Sequence, residues 1–372
     1  MKKGNERAGA RTRRYFFMRI GILTSGGDCA GLNAVIRAAG ISIFRNIKGA
    51  ELIGIPEGYG GLIRGEQVKL RKSDIQGILA EGGTILGSSR QPFKQMETVG
   101  EDGTSKLQKM VANYNKMELD CLIAIGGAGT HKNAALLTRE GCRVIGVPKT
   151  IDNDIWGTDV TFGFQTAVEV ACSCMDRIRT TAESHARVML VEIMGNKAGW
   201  LALHSGIAAG ADAILIPEMP FSEDELCRFI TAKKKSGARS VLIAVAEGAH
   251  IRAEAGLKRK QRSFARAELG EKTITNHLAE YIEEKTGYAS RTSVLGYVQR
   301  GGAPCAYDRL LCTRLGEAAA NLVSEGRFGV TVAVRGNSLT TNRLEDVAGK
   351  YKYVTRGDRM VKCAGELGIF LG

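Results

Sequence analysis

The residues best equipped for chemistry stand together at 147–154, which read V-P-K-T-I-D-N-D. They follow an apolar run, 142–147, with the character of a buried parallel strand, so the polar residues emerge at that strand's carboxyl end. Open α/β sheets bind their ligands there. Lys149 can hold an anion, the Thr150 hydroxyl can orient a substrate, and the carboxylates of Asp152 and Asp154 can take up a proton. The plainer alternative is a proline-initiated turn in which Asp and Asn cap the next element.

Other segments supply what such a stretch would need. Ser25-Gly26-Gly27-Asp28-Cys29-Ala30-Gly31 turns an apolar run at 18–24 into a helix carrying Leu32, Val35, Ile36 and Ala39. Gly126-Gly127-Ala128-Gly129-Thr130 does the same between the run 121–125 and a helix with Ala134, Leu136 and Leu137. Bare backbone at a strand-to-helix turn lets a phosphate approach the helix N-terminus. One such turn is an ordinary connection; two in similar units favour phosphate. The first lacks the G-x-G-x-x-G spacing, and no G-x-x-x-x-G-K-[ST] occurs, so neither a dinucleotide fingerprint nor a P-loop is supported. Arg90 closes the run G-G-T-I-L-G-S-S-R, where its forked guanidinium can hold phosphate oxygens beside the first glycine turn.

The elements that must position these residues alternate along the chain. Strands are predicted at 51–55, 188–193, 213–216, 241–246, 293–296 and 330–334, and helices at 106–116, 162–181, 275–284 and 307–322. Ser222 with Glu225 predicts a capped helix start, and 258–266, basic and without apolar period, reads as a loop or insertion. The alternation predicts an α/β protein of two doubly wound, mostly parallel, Rossmann-like lobes. We place a basic leader at 1–17, a first lobe at 18–160 and a second at 161–372, with part of the C-terminal region returning to the first.

Charge narrows the function classes. The net charge is +13, but 1–19 carries seven Lys/Arg against one Glu and 251–266 six against one, which leaves +2 for the rest of the chain. Two local segments therefore make the chain basic, and no aromatic residues interleave with them as stacking platforms for nucleic acid. The nine cysteines contain no C-x-x-C pair and read as reduced thiols of a cytoplasmic protein. No apolar run is long enough to span a bilayer. The leader lacks the apolar core of a secretory signal and reads as a tail, an upstream start or an organelle-targeting segment.

Taken in order, six segments resemble the 6-phosphofructokinases of the phosphofructokinase A family: T-S-G-G-D-C-A-G-L-N (24–33), G-G-T-I-L-G-S-S-R (82–90), G-G-A-G-T (126–130), P-K-T-I-D-N-D (148–154), M-G (194–195) and G-Y-V-Q-R-G-G (296–302). The resemblance runs from about residue 18 to the end. Lipid and NAD kinases share a similar glycine turn but are not expected to show the other five. The resemblance implies magnesium-assisted phosphoryl transfer from ATP or pyrophosphate to the 1-hydroxyl of fructose 6-phosphate, a glycolytic step in the cytoplasm. Asp152 would be the base, Thr150 would position the sugar, and Asp154 would support the metal and phosphates. Arg300, Tyr297, Arg187 and Arg291 would grip the sugar phosphate, the last two reaching across from a neighbouring subunit of a dimer or tetramer with shared sites. Met194, Gly195 and Glu247 would line the sugar pocket, and Gly26, Arg90, Gly127, Gly129 and Thr130 would contact the donor.

The donor features are mixed. In the family, Gly at 129 goes with ATP, whereas Lys149 resembles the lysine of pyrophosphate users. Two departures bear on activity. Ala128 stands where the family carries a magnesium-binding Asp, and a methyl group cannot ligate a hard cation. Asn196 stands where an Arg is usual, with Lys197 beside it. Ile41 replaces a basic residue of effector-controlled members. Two readings follow: a phosphofructokinase impaired at its metal shell, or a non-catalytic sugar-phosphate-binding or regulatory paralogue. An engineered Asp-to-Ala exchange would leave the same pattern.

Overall fold

The computed structural model describes residues 18–268, 270 and 273–372, so the leader expected at 1–17 lies outside the described residues. Eleven strands form two sheets among them. They are β1 (Arg19–Ser25), β2 (Glu51–Ile55), β3 (Val68–Leu70), β4 (Cys121–Gly126), β5 (Val144–Pro148), β6 (Val188–Ile193), β7 (Ala213–Leu215), β8 (Val241–Ala246), β9 (Ser290–Val294), β10 (Val330–Arg335) and β11 (Ser338–Arg343). The larger sheet has the order β11-β10-β5-β4-β1-β2-β3, and the smaller β7-β8-β6-β9. β4, β5, β6 and β8 are buried along their whole length, as near-continuous apolar runs require when helices cover both faces of a parallel sheet.

The order of the larger sheet locates the crevice. From β1 the chain proceeds outward to β2, whereas from β4 it proceeds in the opposite direction to β5, so β1 and β4 are neighbours at a topological switch point. Ser25 pairs with Gly126 in that register, so the two glycine turns leave the sheet side by side. β10 and β11 bring the C-terminal region back to this sheet through β5. The chain then crosses to the other sheet, where Phe370 exchanges backbone hydrogen bonds with Asp212 and Ile214 beside β7.

Two local expectations need correction, and the mostly parallel sheets carry a detail that the alternation does not predict. Residues 259–268 form a helix, Arg259–Glu268, not a loop. Arg, Lys, Gln, Ala and Glu carry strong helix propensity, and a helix that leaves Phe264 66% exposed needs no apolar stripe. The edges of the larger sheet are antiparallel, β3 against β2 and β11 against β10, whereas those of the smaller sheet are parallel. β3 is three residues long and β11 is polar, so neither carried a readable period. β9 starts at Ser290, before the predicted strand, and Gly296–Gln299 is a turn of 3₁₀-helix.

A buried carboxylate fixes the start of the helix Phe164–His185, whose own N-cap, Gly163, offers no side chain. Asp308 reaches over from the helix Ala306–Glu325 and accepts bonds from the Gly163 N–H (3.1 Å), the Thr166 N–H (2.8 Å) and the Thr166 hydroxyl (2.5 Å). Removing it strands several buried donors at once. Asp308→Ala is expected to lower unfolding free energy by about 3 kcal/mol, read as a lower urea midpoint at unchanged slope.

Candidate active site

Several polar groups of the site sit at the ends of buried strands, while Arg90 and Arg300 come from irregular segments. β5 delivers Lys149-Thr150-Ile151-Asp152-Asn153-Asp154, anchored where the Lys149 N–H donates to the Gly126 carbonyl at 3.0 Å. The Thr150 hydroxyl accepts the Asp152 N–H at 3.1 Å, and the Thr161 hydroxyl donates to the Thr150 carbonyl at 2.7 Å. The two glycine turns are tied together by the Thr130 hydroxyl, which donates to the Ser25 carbonyl at 3.2 Å. That hydroxyl donates its proton to this tie, and Thr130 still lines the cleft. The segment ending at Arg90 is stitched to the first turn: Gly26 N–H donates to the Ser89 carbonyl (3.0 Å) and the Ser88 hydroxyl to the Gly26 carbonyl (2.6 Å).

One cleft of about 440 Å³ collects these ends. Gly26, Gly27, Arg90, Gly127, Ala128, Gly129, Thr130, Lys149, Thr150, Asp152, Asp154 and Arg300 all line it. A side hollow continues from Arg90 and Arg300 to Tyr297, which is 81% exposed and carries the Arg300 guanidinium 5.9 Å from its ring centre. The Arg300 guanidinium packs directly on Gly27: a Cβ there would lie 1.8 Å from it and would push the arginine aside. At Gly129 a Cβ would meet nothing within 4 Å, so the end of the helix Ala128–Arg139 opens into free space.

Beyond the smaller sheet's strand ends, Asn196 and Lys197 line the cleft, whereas Met194, Gly195 and Glu247 are not among its lining residues, although the charge of Glu247 is felt by Asp152. Met194 is fixed by its N–H donating to the Gln299 side chain at 3.2 Å, and Glu247 by its N–H donating to the Ile193 carbonyl at 2.8 Å. Gly195, at φ 138°, accepts the Gly248 N–H through its carbonyl. Arg187 and Arg291 behave differently. Arg187 precedes β6 and Arg291 lies near the start of β9, away from the strand ends that form the cleft, and Arg291 pairs with Glu283 at 3.4 Å. The structure does not bring these two arginines into the cleft of their own chain.

Electrostatics set the carboxylates apart. Burial, then the neighbouring charges of Asp154 and Glu247, push Asp152 up to about 7, against the opposing pull of Arg300 and Lys149. Burial also raises Asp154, opposed by its own backbone N–H, Lys197 and Lys149. Lys149 is held below the ordinary lysine range, first by burial. Its ammonium turns under the first glycine turn and donates to the Gly27 carbonyl. The Nε of Arg300 is buried without a hydrogen-bond partner among the described residues, a donor still awaiting an acceptor.

Cleft residues that the spacing did not single out include Gln91, Phe93, Asn133 and Tyr351. Tyr351 arrives from the far C-terminal segment through a bridge to Ile155, and no local pattern could have announced it.

A doubly wound α/β fold with two glycine turns at its switch point, basic side chains around them and a proton-accepting carboxylate opposite defines a phosphate-handling protein. More specifically, the chain belongs to the phosphofructokinase family, whose sequence profile, described as Phosphofructokinase, matches residues 19–323. Among its relatives, the ATP-dependent 6-phosphofructokinase of Spirochaeta thermophila is 47% identical over 356 residues, covering 95% of this chain and 97% of that protein. The pyrophosphate–fructose 6-phosphate 1-phosphotransferase of Amycolatopsis methanolica is 45% identical over 342 residues, covering 91% and 96%. Phosphofructokinase from Saccharomyces cerevisiae superposes with a TM-score of 0.74 at 31% identity over 89% of this chain, which spans 45% of the yeast chain.

Proposed function

We propose that this protein transfers a phosphoryl group from ATP or pyrophosphate to the 1-hydroxyl of fructose 6-phosphate. The observation that supports it most is that Asp152, both glycine turns, Arg90 and Arg300 line one cleft. Asp152 accepts the proton of the 1-hydroxyl, whose oxygen forms the new bond to phosphorus as the bond to the donor's leaving oxygen breaks. The unpaired Nε of Arg300 and the ring of Tyr297 face the sugar phosphate, and Glu247, Met194 and Gly195 would lie on the sugar's side. Gly26, Gly127 and Gly129 leave backbone open to the donor, with Arg90 beside them. Positioning and charge neutralisation are what this transfer asks of a protein.

The cleft fits magnesium in the manner usual for that ion, which takes one or two carboxylates and completes its shell with water and substrate phosphates. Asp154 would hold it, with Asp28 nearby on the cleft wall. No group of three or more His, Cys, Asp or Glu among the described residues could enclose an ion alone, and Ala128 offers no oxygen. When bound, magnesium supplies charge neutralisation at the donor phosphates. The open space at Gly129 suits a nucleotide as well as pyrophosphate. Arg187 and Arg291, outside their own cleft, would serve a second subunit in a homo-oligomer. No helix among the described residues is long and apolar enough to cross a membrane.

The test is product formation from fructose 6-phosphate with magnesium and either donor. Appearance of fructose 1,6-bisphosphate supports the proposal, and binding of the sugar phosphate without product favours the regulatory reading. The pH profile adds a sign. A base must be ionised to work, so kcat/KM is expected to fall as pH drops below about 7, the value to which Asp152 is raised. Glu247→Gln removes one of the charges raising it and should move the midpoint to lower pH.

A further inference from the structure

Taking the phosphoryl-transfer reading as its basis, we propose that Lys197, carried on the ring of Tyr351, contacts the transferring phosphoryl group and neutralises the charge on its oxygens.

The other cations of the cleft are held by the first glycine turn and its neighbours. Lys149 is buried and donates to the Gly27 carbonyl. Arg300 packs on Gly27 and over Tyr297. Arg90 belongs to the segment stitched onto the first glycine turn, and it and Arg300 line the side hollow that reaches Tyr297. Lys149 and Lys197 both act on the charge of Asp154, but of the two only Lys197 is exposed. It lines the same cleft as Asp152, Asp154 and Ala128, and its ammonium lies 4.0 Å from the centre of the Tyr351 ring. Among the described residues it makes no hydrogen bond or ion pair, so its charge is available to a ligand.

Tyr351 is built to hold it. The residue bridges to Ile155, and the next residue, Lys352, donates its N–H to the Asp154 carbonyl at 2.9 Å, so the ring is fixed to the Asp152–Asp154 turn itself. A second ammonium, from Lys132, approaches the same ring at 5.9 Å and the Phe93 ring at 5.5 Å. Lys132 lies four residues into the helix that begins at Ala128. The aromatic faces thus hold both ammonium groups at the cleft, Lys197 close enough to act on the charge of Asp154 without forming an ion pair with it. A lysine stem held on an aromatic face keeps its charge fixed before the reaction, which is the condition for stabilising a transition state and not only a ground state.

The test compares steady-state kinetics of the full chain with each donor for wild type, Lys197→Met, Lys197→Arg, Tyr351→Phe and Tyr351→Leu. Lys197→Met is expected to lower kcat by about 10²-fold with little change in donor KM, as loss of one transition-state contact does. Lys197→Arg should recover most of that loss. Tyr351 acts as a positioning residue, so Tyr351→Phe, which keeps the ring, should resemble wild type, and Tyr351→Leu should cost about tenfold in kcat. Lys197 is exposed, so its variants should melt with wild type. Unchanged kcat in Lys197→Met, or a loss confined to KM, overturns the assignment while leaving phosphoryl transfer standing. A wild type that forms no product with either donor overturns the transfer reading instead.

Discussion

Asp152→Asn is expected to lower kcat for sugar phosphorylation by about 10²- to 10⁴-fold, the usual contribution of a positioned general base. The amide keeps the size of the side chain and the backbone contact to Thr150, but it cannot take a proton from the sugar hydroxyl. Binding should persist, because Arg300, Tyr297 and the glycine turns are untouched, so the KM for fructose 6-phosphate should stay near wild type. Stability separates loss of chemistry from loss of fold. The folded protein holds Asp152 at about 7, above its ordinary range, so ionisation weakens the fold progressively as pH rises toward 7. An uncharged amide escapes that penalty and the repulsion from Asp154 and Glu247. The variant should therefore melt no lower than wild type at pH 8, while its turnover collapses.

Ala128→Asp is expected to act in the opposite direction, raising kcat by about 10²- to 10³-fold. Ala128 is the first residue of the helix Ala128–Arg139 and lines the cleft with Asp154. A carboxylate at that point is favoured by the helix dipole and adds an oxygen ligand that a hard cation can use. It would also face Asp152 and Asp154, so without a divalent cation the added charge repels both. The gain should consequently depend on magnesium, and the magnesium concentration giving half-maximal rate should fall in the variant. Equal rates for the two proteins across a magnesium titration would show that the methyl group at 128 is not what limits turnover.

Much of this arrangement was legible in the sequence because strand ends announce themselves. The run into Val147 is uniformly apolar, so Lys149, Thr150, Asp152 and Asp154 had to leave the sheet at its carboxyl end. The turns at Gly26 and Gly126 had to lie near them once β1, β4 and β5 were recognised as parallel strands. What spacing could not convey was side-chain commitment. Thr130 and Lys149 line the cleft, and no local pattern showed that the hydroxyl also donates to Ser25 and the ammonium to Gly27. Contacts made by a returning chain were also hidden. Tyr351 enters the cleft only because β10 and β11 carry the C-terminal region back across the larger sheet. Arg187 and Arg291 could be assigned to a sugar phosphate only through family resemblance, and the single chain leaves them outside its own cleft.

The geometry is tested most directly by a crystal structure of the protein with fructose 6-phosphate and a non-hydrolysable donor analogue. The expected result places the sugar's 1-hydroxyl within about 3 Å of the Asp152 carboxylate, its phosphate on Arg300, and the donor's terminal phosphorus between that hydroxyl and the glycine turns. A sugar phosphate bound with its 1-hydroxyl turned away from Asp152, or lodged outside the cleft shared by Gly27, Gly129 and Arg300, would contradict it.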